Sequence, residues 1–420
     1  MDANVHLPHR LRFFIVFTVL LALSALHSIV RAEEDFLPEQ TAAGTLSLDN
    51  VEISLVTCEP YDRVYSLYGH TGLRIHDQST GLDVLANWGI FEMKKRFFVL
   101  RFMFGLTDYK MEIEPWEYFC ERYMSYGSGV QEQVLNLNAD EKQRLIAAVR
   151  ENYKPENRYY RYNYFYDNCT TRVRDIIEES VGGKIVYPET DAPKSYRELI
   201  HEWNGDHLWA RWGNDFLLGV KADRKTTSKE AHFLPYMLFR DFGAAHIVSN
   251  GAVDRPLVKT TRWAVPSMHV SEGGTFADNW LLRPLSVAVA LVLVLLAVIF
   301  AERKLRKRLW QFDICVLAVT GVMGLILLAM VFSQHPTVSL NFQILVFNPL
   351  SLLFIVPITK SLRQGRPAPH LLILGWMAAA GILLGVFFQS YAEGVMLLAI
   401  FLLGAYTRKT GFQKYETEKE

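Results

Sequence analysis

Cys169 and His70 are the side chains of this sequence best suited to covalent chemistry. Cys169 sits in the tetrad Asp167-Asn168-Cys169-Thr170, where a helix is expected to begin. A thiol at a helix N-terminus is acidified, because the unpaired backbone N–H groups there favour the thiolate. His70 follows Gly69 at the head of a strand-like run, and an imidazole brought beside the thiol completes a nucleophile–base pair. It would take the thiol proton and later assist proton transfer at the leaving or attacking group. The Cys169 N–H is a natural oxyanion donor at such a helix start. A third group is expected to orient the imidazole. Asn87 on the neighbouring strand suits this role, since an amide holds one ring nitrogen without stealing its charge. His76 shares the strand face of His70 but lies about 20 Å away along an extended chain. The bland alternative is that Cys169, like Cys58 and Cys120, is a small core residue.

Three strands and two helices must position these groups. Val51, Ile53 and Leu55 alternate with Glu52 and Ser54 as in a half-buried strand. His70 to His76 alternates again, and Val84 to Ile90 follows the turn-like Asp77-Gln78-Ser79-Thr80-Gly81, so the three strands are expected to be antiparallel neighbours. Asn138, with Glu141 three residues on, predicts a capped helix through Asn152 that Pro155 ends. From Cys169 a second helix is predicted to Ser180 or Val181, with Gly182-Gly183 as its stop. Cys169, Val173, Ile176 and Ile177 share one face of it, which turns the thiol toward the sheet carrying His70.

The distribution of apolar residues sets the class. The 420-residue chain has 44 basic and 44 acidic side chains, a balance that argues against a nucleic-acid partner. Residues 1–32 have the layout of a secretory signal peptide, with an N-terminal anchor helix as the alternative. Residues 33–279 form an extracytoplasmic domain, residues 280–407 a membrane domain and residues 408–420 a cytoplasmic tail. Five spans are expected, at 280–301, 312–332, 342–359, 369–388 and 391–407, each near the ~20 apolar residues a bilayer requires. Lys and Arg crowd into 302–308, 360–366 and the tail, whereas 333–341 and 389–390 contain none. The positive-inside rule therefore puts those two loops on the side of the soluble domain. Cys315 lies in a span, which leaves an odd number of outside cysteines; if Cys58 and Cys120 pair or stay buried, Cys169 is the free one.

Two further regions carry polar or amphipathic signals. Lys94, Lys95, Arg96 and Arg101 are interspersed with phenylalanines over 91–110, as in a helix that covers the core with snorkelling cations or one that lies on a membrane surface. His335, Asn341 and Asn348 sit in or beside the third span, on the side of the soluble domain. Polar groups there face protein or a cavity, which makes them a candidate pocket floor; the alternative is a Pro-kinked helix whose Asn satisfies freed backbone groups. The sequence contains no HExxH, CxxC, Gly-rich phosphate loop or GxSxG elbow.

The runs Tyr68-Gly69-His70-Thr71-Gly72-Leu73-Arg74, Asn87-Trp88-Gly89-Ile90-Phe91 and Tyr166 to Asp175 resemble the Lnb-type lipoprotein N-acyltransferases, as do His335-Pro336, Asn341 and Asn348-Pro349-Leu350. Ala86 departs from the pattern, standing where an aromatic residue often precedes the Asn. The resemblance implies an α+β permuted papain-like domain, akin to NlpC and lecithin retinol acyltransferase folds, fused to a five-helix transmembrane bundle. It implies a catalytic Cys169–His70 pair with Asn87 as third member. It also implies substrate contacts at Arg74, Arg172, His335, Asn341 and Asn348. The implied donor is a membrane phospholipid and the acceptor the α-amine of a diacylated lipoprotein, at a bacterial inner membrane, with no metal or nucleotide cofactor. Two other readings compete: a membrane-tethered cysteine peptidase or amidase acting on cell-wall peptides, and a non-enzymatic envelope sensor or assembly factor.

Overall fold

The computed structural model describes residues 48–61, 63–91, 96–188, 193–249, 252–268 and 280–408. The signal-peptide segment, Lys94, Lys95 and the tail from residue 409 lie outside them. Among the described residues are ten strands: β1 Val51–Cys58, β2 His70–Asp77, β3 Leu82–Ile90, β4 Asp108–Pro115, β5 Val130–Leu135, β6 Tyr159–Arg161, β7 Lys184–Val186, β8 His246–Ser249, β9 Ala252–Pro256 and β10 Val258–Val265. Seven form one antiparallel sheet in the order β10-β5-β1-β2-β3-β4-β6, and β7-β8-β9 form a small second one. The three strands expected from alternation are thus adjacent at the centre of the large sheet.

That sheet is covered on both faces, so its central strands are buried along most of their length rather than on alternate residues. On one face Ile53, Leu73, Ile75 and Trp88 pack with Val149, Val173 and Ile177 of the helices Ala139–Tyr153 and Cys169–Ser180. On the other, Val56, Leu85 and Val130 meet Trp116 and Phe119 of the helix Trp116–Ser125. Both helix starts predicted from the sequence carry a side-chain cap, the first of them as expected. Asn138 accepts from the Glu141 N–H at 3.0 Å while Glu141 accepts from the Asn138 N–H at 2.8 Å. Cys58, Cys120 and Cys169 are free thiols; Cys58 is buried, and burial pushes it well above the ordinary thiol range. That leaves Cys169 as the candidate nucleophile.

Beyond the domain, four helices among the described residues are long and apolar enough to cross a membrane: Pro284–Leu305, Trp310–Val331, Gln343–Arg363 and Pro369–Phe388. The segment expected as a fifth span forms the shorter helix Val395–Thr407, 13 residues or about 20 Å. The third span is interrupted: its helix breaks after Val346 and resumes at Leu350. Pro349 has no N–H to continue the ladder, and Asn348 Oδ1 accepts the Leu350 N–H at 2.9 Å instead. Buried charges tie the basic ends of the helices together. Arg308 and Arg408 both pair with Asp313, and Arg408 also pairs with Glu302.

At the opposite end the two loops without Lys or Arg dock on the soluble domain. The Gly219 N–H donates to Thr337 O and the Val220 N–H to Leu340 O, at 2.8 and 2.9 Å. Asn341 and Gln343 donate to the carbonyl of Phe216, and Gln389 to that of Leu218. These carbonyls end the helix Leu208–Leu217, whose Asp215 forms a buried ion pair with Arg197. Residues 193–249 and 252–268 therefore supply the soluble side of this joint as well as the edge strand β10.

Candidate active site

His70, Asn87 and Cys169 come together where β2, β3 and the cysteine helix meet. Gly69 makes the turn into His70 with a φ of +78°; a Cβ there would lie 2.5 Å from Cys58 O, so only glycine fits. Register then sets Gly72 opposite Asn87, two residues in from His70. Gly89, with a φ of +90°, lies where β3 slips its register against β4 between Asn87 and Ile90. Such an irregularity re-aims nearby side chains, and a Cβ on Gly89 would sit 3.6 Å from Cys169 Cβ and 4.0 Å from His70 Cε1.

The tetrad that begins the helix divides its work residue by residue. Asn168, buried, accepts the N–H groups of Thr170 and Thr171 at 2.9 Å each and donates to Tyr164 O and Phe233 O. Asp167 forms a two-point ion pair with Arg172. Thr170 Oγ1 bridges to Thr71 Oγ1 at 3.1 Å and lies 3.8 Å from the thiol. The cap uses the N–H groups of Thr170 and Thr171 and does not engage that of Cys169 itself.

Electrostatics favour a thiolate–imidazolium pair. Burial alone would push the Cys169 thiol up. The His70 charge and hydrogen bond, the Thr71 N–H and the Thr170 hydroxyl outweigh it and hold the thiol below its ordinary value. Burial likewise works against a charged His70. The Cys169 thiolate, the Asn87 bond and the Glu114 carboxylate together raise it above the usual histidine range.

A chain of hydrogen bonds fixes which imidazole nitrogen meets the thiol. Arg122 holds both oxygens of Glu114 at 2.8 Å. Glu114 accepts from Asn87 Nδ2 at 2.8 Å, so the amide must present its oxygen to the ring. His70 Nε2–H donates to that oxygen at 2.7 Å, which leaves Nδ1 for Cys169. Sequence reasoning found Asn87 but missed Glu114 and Arg122. They lie on the next strand and the helix after it, and only the β3–β4 register brings them close. Tyr160 was missed as well; its buried hydroxyl has no hydrogen-bond partner among the described residues and lies 3.9 Å from where a Gly89 side chain would begin.

The dyad opens into a cavity of about 920 Å³, near the top of the range for small-molecule sites. Its wall is mainly aromatic and aliphatic, including Phe91, Tyr109, Phe165 and Phe233. It runs from Cys169 to Met330, Thr337 and Val338 at the outer end of the membrane region.

Of the residues assigned to substrate by resemblance, His335 alone lines this cavity. Its ring bonds to Phe102 O, and burial pushes its pKa down. The other four have other places. Arg74 is buried in ion pairs with Asp83 and Glu132 and stabilises the sheet. Arg172 pairs with Asp167 and stacks on the Tyr160 ring at 3.7 Å. Asn341 belongs to the joint with the membrane region, and Asn348 caps the broken span.

The family model for the Lnb N-terminal periplasmic domain matches residues 38–202, and that for the Lnb transmembrane domain matches residues 277–414. Neither the curated proteins nor the solved structures returned a match.

Proposed function

From the premise that this chain belongs to the Lnb-type family, multi-pass membrane proteins with a periplasmic domain, we propose that it is an apolipoprotein N-acyltransferase of the bacterial inner membrane. The observation that carries the reading is the apolar cavity that joins the Cys169–His70 pair to the outer end of the membrane helices. Both substrates of such a reaction are anchored in lipid, so a thiol placed in water above the membrane would meet neither.

The Cys169 thiolate attacks an acyl ester carbonyl of a membrane phospholipid. As the tetrahedral intermediate collapses, the C–O bond breaks and His70 Nδ1–H gives its proton to the departing lysophospholipid oxygen. The acyl chain remains on sulfur as a thioester. The α-amine of a diacylglyceryl-cysteine then attacks that carbonyl, His70 takes the amine proton, and the thiolate leaves. The product is an N-acylated lipoprotein and the enzyme returns to its starting state. The Cys169 N–H and the unpartnered Tyr160 hydroxyl are the groups suited to the developing oxyanion. A histidine on a strand that precedes a cysteine on a helix also supports the permuted papain-like reading of the domain.

A cell-wall peptidase or amidase would use the same pair of residues, but its substrate calls for a polar cleft, and an aromatic wall counts against it. Lipoprotein mass spectrometry in a deletion strain tests the proposal. Loss of one N-linked acyl chain is expected, restored by the wild-type chain and not by Cys169→Ala. Unchanged lipoproteins with altered wall peptides would overturn it. Full function in a Cys169→Ser chain would support a non-enzymatic role.

A further inference from the structure

The stretch from Arg96 to Leu106 has no part in the hydrogen-bond chain around His70, yet it forms one wall of the cavity. It contains a short helix, Phe98–Met103, whose Phe98, Phe102 and Met103 line the cavity. Its other side is uncovered: Phe97 is 60% exposed and Leu100 52%, with Leu106 exposed beyond them. Phe97 has a φ of +59°, a conformation costly for a residue with a Cβ, and the chain turns there so that one ring points out while the next stacks on Phe91.

The position of this stretch relative to the membrane follows from its bonds. The Gln334 N–H donates to Phe104 O at 3.0 Å, Ser333 Oγ donates to Met103 O at 2.7 Å, and the His335 ring bonds Phe102 O at 3.0 Å. Residues 333–335 directly follow the span Trp310–Val331, whose last exposed side chains are Val331 and the 73% exposed Phe332. The exposed apolar side of the helix therefore continues the lipid-facing surface of that span. Arg96 lies over the Phe97 ring at 4.7 Å, and Arg101 is half exposed, with its head near Asp108. Cations beside exposed aromatic rings suit the depth of lipid phosphates.

We propose that the helix Phe98–Met103 rests in the outer leaflet and is the door through which a phospholipid acyl chain passes from the bilayer into the cavity. The direction of traffic rests on the acyl-transfer reading; contact with lipid does not. A single layer of side chains separates leaflet from cavity here, since Phe97 and Leu100 are exposed outside while Phe98 and the partly exposed Phe102 line the cavity. A chain entering at this point reaches Cys169 without crossing water.

Photo-crosslinking of the full chain tests this. A benzoylphenylalanine replaces Leu100, and in a second protein Val186, which is 44% exposed beyond the far end of the cysteine helix. Both are reconstituted in nanodiscs of phosphatidylethanolamine and phosphatidylglycerol, irradiated and analysed by mass spectrometry. Phospholipid adducts at position 100 and none at 186 are expected; no adduct at 100, or equal yield at both, overturns the proposal. A Leu100→Glu chain is then compared with wild type on nanodisc phospholipid and on a small water-soluble thioester donor. Transfer from nanodisc phospholipid should slow on the order of tenfold more than transfer from the soluble thioester. Equal slowing would mean a merely structural role and would overturn the door. If the protein with benzoylphenylalanine at position 100 crosslinks to phospholipid but wild type transfers no acyl chain, the functional reading fails and the lipid contact stands.

Discussion

Replacing Asn87 tests the hydrogen-bond chain that sets the reactive nitrogen of His70. In an Asn87→Ala chain the Nε2–H loses its 2.7 Å acceptor and Glu114 loses its 2.8 Å donor, in a place where Asn87 itself is 2% exposed. A buried donor left without a partner costs about 1–3 kcal/mol. If that cost falls on the transition state, acylation slows by roughly fivefold to a hundredfold. The pH profile should move too. The Asn87 bond helps to raise His70, so its loss lowers the alkaline limb, which follows deprotonation of the imidazolium. The acid limb, set by the thiol, moves up as the imidazolium is held less firmly, and the active window narrows. Asn87→Asp should act in the opposite sense. Its carboxylate would face Glu114, so the two share a proton at low pH and the site resembles wild type. As that proton leaves, the added negative charge raises His70 and carries the alkaline limb upward. Single-turnover formation of the acyl-enzyme, followed by intact mass from pH 5 to 10, reads both limbs. Wild-type rates in Asn87→Ala, or shifts of the same sign in both variants, would refute the relay.

Two further substitutions bear on the same site. Asn168→Ala removes two accepted and two donated hydrogen bonds at the start of the cysteine helix; a lost cap alone costs about 0.5–2 kcal/mol, so a lower thermal midpoint in detergent and slower acylation are expected together. Gly89→Ala forces a Cβ into a left-handed position beside Cys169 and His70. Its strain costs about 1–2 kcal/mol, and acylation should fall by more than the melting shift accounts for, which parallel melting and single-turnover measurements would check.

Much of the site was legible because its signals are local. A side chain that can cap a helix, a glycine before a strand and a period of two all act within a few residues, and they located Cys169, His70 and Asn87. What escaped depended on register. Glu114 and Arg122 join the site only because β4 lies beside β3 and leads into the helix Trp116–Ser125, which no local pattern encodes. Arg74 shows the converse: its place in a family motif suggested a ligand contact, whereas Asp83 and Glu132 on neighbouring strands hold it within the sheet. In the membrane region, hydropathy found the spans, but the break at Asn348-Pro349 and the short helix Val395–Thr407 follow from how the helices pack and cap. Asn341 was expected at a pocket floor in contact with substrate, but it does not line the cavity and its amide is engaged elsewhere. Its partner is a carbonyl of the soluble domain.

The joint built from Arg197, Asp215, Asn341, Gln343 and Gln389 also limits how this protein can change over time. Its donors and acceptors come from both halves of the chain, and each would be stranded without its counterpart. Because one cavity wall is drawn from each half, the halves are expected to work only as a unit: a chimera that swaps the soluble domain for a relative's would have to bring the loops 333–343 and 389–390 with it. Substitutions across the joint are accordingly expected to be accepted in pairs, and drift in one loop to be held back by the chemistry of the other.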